Sequence, residues 1–195
     1  MNQVTNRGIA ITGHNAEGTA IAISSIDPTS INPMLLGGEI LLKTHPYSAW
    51  GGAVTAQMYL PLEASQVWHQ LTDYPRWTQY FPDITRSEVI QVVKAGSLKR
   101  LHQAASKAFL FFTAQVDIYL KVLETQYQRI QFSLESGSFS DFSADLQIKS
   151  YNGGTVLTYL VQATPVIPVP RVLIEQAIQL DLPTNLRQMR RVMCG

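Results

Sequence analysis

The 195-residue chain is long enough for one domain, and with 46% hydrophobic and only 15% charged residues it has an unusual amount of apolar surface to bury. No stretch approaches the roughly 20 uninterrupted apolar residues of a bilayer helix, and a net charge of +1 argues against nucleic acid as a partner. The single cysteine, Cys194, excludes an internal disulfide and is what a reducing, cytoplasmic compartment would give.

The opening residues carry weak signals. Met1 to Gly18 is polar and broken by glycine, with no basic flank ahead of an apolar block, so no secretory signal is expected. Gly8–Thr12 and Thr19–Ile23 either pair across the turn between them or belong to a loose leader. Asp27-Pro28, Asn32-Pro33 and Gly37-Gly38 mark turns, and Glu39 to Lys43 reads as a short strand. Residues 1–50 are therefore taken as an N-terminal extension and 51–195 as the folded domain.

From Gly52 the pattern sharpens. Ala53 to Leu60 reads as a strand ended by Pro61. Ala64, Val67, Trp68 and Leu71 recur at helical spacing over Glu63 to Leu71. Thr72-Asp73-Tyr74-Pro75 breaks that helix, and a second short turn over Arg76 to Tyr80 stops at Phe81-Pro82. Arg86 to Lys94 and Leu98 to Ala105 read as strands. Alternation is then clear: Val116, Ile118, Leu120 and Val122 share one face, as do Ile130, Phe132 and Leu134, and again Phe142, Ala144, Leu146 and Ile148. Period two with one polar face fits an antiparallel sheet covered on one side. Gly137-Ser138 and Asn152-Gly153-Gly154 supply turns. Thr155 to Thr164 is a strand whose two faces are equally apolar, so its orientation stays open.

Pro170 suits the first turn of a closing helix. Leu173, Ala177 and Leu180 mark its stripe, continued by Leu182, Leu186, Met189 and Met193. Pro183 removes a backbone bond and predicts a kink or reset there. At 1.5 Å per residue, roughly 24 residues make a rod of about 36 Å. The fold class is α+β: a strand, two short helices, about six strands and one long helix. A single helix cannot tile a sheet of about seven strands. The sheet must curl around it, and such an arrangement leaves an interior gap.

The residues that carry a family resemblance lie in three runs. The first is Val67-Trp68 through Asp73-Tyr74, Trp77, Tyr80-Phe81-Pro82 and Ser87-Glu88-Val89. The second is Leu123-Glu124, Ile130-Gln131-Phe132, Gly137-Ser138-Phe139 and Phe142. The third is Thr155 to Tyr159, Pro165, Pro168, Leu173-Ile174-Glu175 and Leu182 to Arg187. In that order they resemble the SRPBCC superfamily, the START-like or helix-grip proteins, and in particular its polyketide cyclase/dehydrase branch, which includes coenzyme-Q-binding members. Ala144 and Leu146 depart from the Gly and Trp that many relatives carry there. The resemblance implies a helix-grip fold and a cavity for a hydrophobic small molecule such as a lipid, quinone or polycyclic compound. The alternative it implies is a cyclase or aromatase that works with polar groups in the same cavity.

No catalytic grouping stands out. His14, His45, His69 and His102 show no metal-ligand spacing, and no nucleophile elbow or phosphate loop is present, so neither metal nor cofactor is expected. Arg100 and His102 share a strand face and, with Tyr119, are the polar candidates. Facing inward they would polarise a ligand carbonyl or phenol; facing outward they are surface residues. The expected lining comprises Trp77, Tyr80, Phe81, Phe111, Ile118, Phe132, Phe142, Leu173, Ala177 and Leu180. The aromatic run Phe109 to Phe112 and the group Trp77, Tyr80 and Phe81 read either as core, or as a gate at the pocket mouth or an edge that dips into a membrane surface.

Overall fold

The computed structural model describes residues 33–93, 97–108 and 113–195. Its centre is one antiparallel sheet of eight strands, β1 (Leu41–His45), β2 (Gly52–Leu60), β3 (Ile84–Val93), β4 (Leu98–Ala108), β5 (Thr113–Thr125), β6 (Arg129–Gly137), β7 (Phe139–Tyr151) and β8 (Gly154–Pro165). They lie in the order β1-β2-β8-β7-β6-β5-β4-β3. The count exceeds the expected seven because β1 adds to β2, Leu41 facing Gln57 and His45 facing Ala53. The sheet thus begins ahead of residue 51. The pairing considered for Gly8–Thr12 and Thr19–Ile23 lies outside the described residues.

The register settles what alternation left open. Tyr159 pairs with Ala56 and Leu146, and Leu157 with Met58 and Ile148. Because Ala56, Met58 and Leu146 belong to the core, Leu157, Tyr159, Val161 and Ala163 face inward and Val156, Thr158, Leu160 and Gln162 outward. Irregularities in β3 (between Ile84 and Arg86 and between Val89 and Gln91), in β6 at Glu135, opposite Tyr119–Leu120 of β5, and in β7 at Phe139–Asp141 bend the strands, as bulges do. The β7–β8 hairpin turns on Asn152 and Gly153, both at positive φ (46° and 76°), the backbone that an Asn-Gly turn tolerates.

Between β2 and β3 lie α2 (Ala64–Leu71), a 3-10 turn (Tyr74–Arg76) and α3 (Trp77–Tyr80); a short α1 (Pro33–Leu36) precedes β1. A capping box between Glu63 and Gln66 starts α2, with the Glu63 N–H donating to Gln66 Oε1 at 3.0 Å. At its other end, orphan carbonyls accept from aromatic side chains: Trp77 Nε1 donates to Leu71 O at 2.9 Å and Tyr80 Oη to Gln70 O at 3.1 Å. Those two bonds fold α3 back onto α2.

The closing helix runs from Arg171 to Cys194 as α4 (Arg171–Gln176), a π-helical turn (Ala177–Asp181) and α5 (Leu182–Cys194). The reset expected at Pro183 is this π turn. The Leu182 N–H bonds to Ala177 O, and Thr184 Oγ1 donates to Leu180 O at 2.7 Å. Proline has no N–H to offer, and the wider turn accommodates it without breaking the rod. Among the described residues, no helix is long and apolar enough to cross a membrane.

Candidate functional site

Two ends of the sheet's inner face are covered differently. At one end α2, α3 and α5 pack tightly: Leu71, Tyr74, Leu101 and Ile130 are fully buried and Leu186 and Met189 are 1% exposed. Between Trp77, Leu146, Leu157, Leu186 and Met189 there is no room for a water molecule. Tyr74 anchors this end by donating to Glu124 Oε1 at 2.5 Å, and Lys99 Nζ reaches the same oxygen at 2.7 Å. Burial and the neighbouring Glu124 carboxylate push the Tyr74 phenol far above the ordinary tyrosine range, so it remains a donor.

The other end holds a cavity. Beneath α4 and the π turn is a chamber of about 430 Å³ whose walls include Gly52, Val161, Ala163, Leu173, Ile174 and Ile178. It continues into a recess of about 240 Å³ toward Trp77, Phe132, Phe142 and Tyr159, the two sharing Phe81, Ala105, Val116 and Phe139. Small residues make the space. At Gly52 the helix comes so close that an added Cβ would lie 2.9 Å from Ile178 Cδ1 and 3.0 Å from Ile174 Cγ2. Neither α4 nor the π turn buries a single residue, although both turn apolar side chains toward the chamber.

The chamber has one charged corner. Lys107 Nζ lies 3.0 Å from Asp83 Oδ2 and 2.8 Å from Asp181 Oδ2, joining β4 to the π turn. Burial, the largest influence, would lower the lysine's pKa, but the bonds to Asp181 and Asp83 together outweigh it and raise it. The recess is lined by no charged side chain; its polar members are Gln103, which donates to Ser87 Oγ at 3.1 Å, and Tyr159.

The structure places seven of the expected lining residues on this cavity: Trp77, Phe81, Ile118, Phe132, Phe142, Leu173 and Ala177. Two need correction. Tyr80 is fully buried beside α2 with its hydroxyl on Gln70, and Leu180 is 63% exposed on the far side of the helix, because the π turn rotates it out of the stripe. Phe111 lies outside the described residues.

The polar candidates lie on the outer face. Arg100 forks onto Glu135, Nε to Oε2 at 2.8 Å, and also reaches Gln91. His102 bonds both carboxylate oxygens of Asp117 at 3.1 Å, and its ring stacks on Tyr119 at 4.6 Å between centroids. Their inward neighbours Leu101 and Gln103 hold the positions toward the core. Gln103, Ala105 and Tyr159 were not singled out from sequence. For Gln103 and Ala105 the signal was parity with Leu101; for Tyr159 only pairing with Ala56 supplied it. Among the described residues, no group of His, Cys, Asp and Glu is placed to hold a metal ion.

Residues 60–190 match the family model described as polyketide cyclase / dehydrase and lipid transport. Among solved structures, a START superfamily protein from Mycobacterium smegmatis is 15% identical with a TM-score of 0.58, over 73% of this chain and 94% of that one. A STAR-related lipid transfer protein from Xanthomonas axonopodis is 12% identical with a TM-score of 0.58, over 79% of this chain and 99% of its own described fragment. Human STARD10 is 12% identical with a TM-score of 0.59, over 78% of this chain and 72% of that one. No curated protein matches the chain by sequence.

Proposed function

Since the chain belongs to the polyketide cyclase / dehydrase and lipid transport family, we propose that it binds and carries an apolar small molecule, a lipid, quinone or polycyclic compound, in the cavity beneath α4. One observation carries this reading. Half of the terminal helix presents its apolar side to a chamber of about 430 Å³ instead of to packed side chains. Ligand pockets of this kind are concave and apolar with few placed polar groups. Burying roughly 200 Å² of apolar ligand surface at about 25 cal/mol per Å² supplies some 5 kcal/mol with no covalent step. The family's description also covers cyclases; Arg100, His102 and Tyr119, the residues considered for that chemistry, face away from the cavity, which favours binding. The lone Cys194 supports a cytoplasmic setting.

The test is to plug the junction of chamber and recess. Ala105 borders both. Wild-type protein is expected to bind the neutral fluorophore N-phenyl-1-naphthylamine, and Ala105→Phe to weaken it at least about tenfold with little loss of folding cooperativity. Unchanged affinity in a folded variant would place the probe elsewhere and defeat the proposal.

A membrane-surface contact is favoured by a separate observation. Val166, Ile167 and Val172, 59–76% exposed, lie where β8 leads into α4, beside the chamber. Exposed apolar groups so gathered mark interaction sites. We expect the protein to float with anionic liposomes and Ile167→Asp combined with Val172→Asp to reduce the floated fraction severalfold. Equal flotation of both proteins would dismiss this contact.

A further inference from the structure

Tyr159 stands out in the recess. It faces inward from β8, is partly buried and borders the recess, and its hydroxyl has no hydrogen-bond partner among the described residues. Tyr74 and Tyr80, both fully buried, each donate theirs to a protein acceptor. A phenol at the wall of an apolar recess that no protein acceptor takes up is a donor available to whatever enters that recess.

The surroundings narrow what answers it. Trp77 and Phe81 flank the recess, Phe81 lying 6.5 Å from the Tyr159 ring, and no charged side chain lines this space. A carboxylate or phosphate there would have no counter-charge, whereas a neutral oxygen accepts the phenolic hydrogen at no such cost. From this geometry we infer that Tyr159 is the recognition point for an uncharged oxygen, a hydroxyl or a carbonyl, on an otherwise apolar ligand seated in the recess. This rests on the cavity-binding reading above and sharpens it: the preferred cargo is an oxygenated neutral molecule in place of a bare hydrocarbon or a buried acid. Desolvation holds the phenol well above the ordinary tyrosine range, so it stays protonated and donates.

The experiment compares 2-naphthol with 2-methylnaphthalene, which replaces the hydroxyl by a methyl of similar size, on wild type and Tyr159→Phe. Phenylalanine keeps the ring and removes only the donor. The ratio of the naphthol Kd to the methylnaphthalene Kd is expected to rise about tenfold in the variant, with the methylnaphthalene Kd changed less than twofold. A ratio unchanged by the substitution, with both probes still bound, overturns the Tyr159 assignment and leaves the cavity reading standing. If neither probe binds wild-type protein, both fall. Gln103→Leu supplies a second check: it alters the opposite polar group of the recess, and a tenfold change there with none at Tyr159 would also overturn the assignment.

Discussion

The two halves of the terminal helix lie against the same wall of strands and do opposite things. Leu182–Cys194 sinks Leu186 and Met189 to 1% exposure, whereas Arg171–Asp181 buries none of its residues. Apolar content does not separate them, since both carry a stripe. The wall opposite does. Against Leu186 and Met189 of α5 stand Leu146 and Leu157 of the sheet, with Trp77 from α3; around the chamber under α4 stand Gly52, Ala105, Val161 and Ala163. A cavity in this fold is therefore made by small residues on the sheet, and the π turn at Ala177–Asp181 marks where packing gives way to space. π turns inside helices recur at functional sites.

The sharpest way to break this comparison is to make one kind of truncation on each half. Leu186→Ala removes a side chain from a site that cannot collapse, and is expected to cost about 2–5 kcal/mol. For a chain of this size that lowers Tm by on the order of 10 °C. Ile174→Ala on the other half removes a side chain that borders the chamber and gains helix propensity, so its cost is expected below about 1 kcal/mol. Thermal unfolding by circular dichroism reads both. Equal losses would mean that α4 is as firmly packed as α5 and that the cavity has no structural distinctness.

How much of this contrast the sequence showed depends on which half is considered. The packed end was legible, because Val67, Trp68 and Leu71 repeat at helical spacing and Val122, Ile130 and Leu146 fall on clean period-two faces. The site was legible in part. Trp77, Phe81, Leu173 and Ala177 sit on the cavity, but Leu180 does not: a stripe drawn at 3.6 residues per turn misplaces a residue inside a π turn, while Leu182, Leu186, Met189 and Met193 beyond it are buried as the stripe implies. Tyr159 was hidden for another reason. Both faces of β8 are apolar, so period two cannot choose between them, and only the long-range pairing with Ala56 and Leu146 does. The sequence leaves Arg100 and His102 open between the two faces of their strand, and parity with the buried Leu101 puts them on the outer one.

The smallest expected effect concerns what ties the loosely packed half down. Lys107 bonded to Asp83 and Asp181 is, among the described residues, its one side-chain ion pair to the sheet. The pair is partly exposed, so its contribution is screened and Lys107→Met is expected to cost only about 0.5–1 kcal/mol. Its sign with pH follows from the raised pKa of the amine. The stabilisation is fully present below the unfolded value of about 10.5 and is lost as pH climbs through the higher folded value. The Tm gap between wild type and Lys107→Met should therefore hold through neutral pH and shrink only in strong alkali. Locally the effect should be larger than globally: amides of Arg171–Asp181 are expected to exchange severalfold faster in the variant, while those of Leu186–Met193 keep wild-type rates. Exchange accelerated equally along both halves would show one cooperative rod, and the division at the π turn would have no energetic meaning.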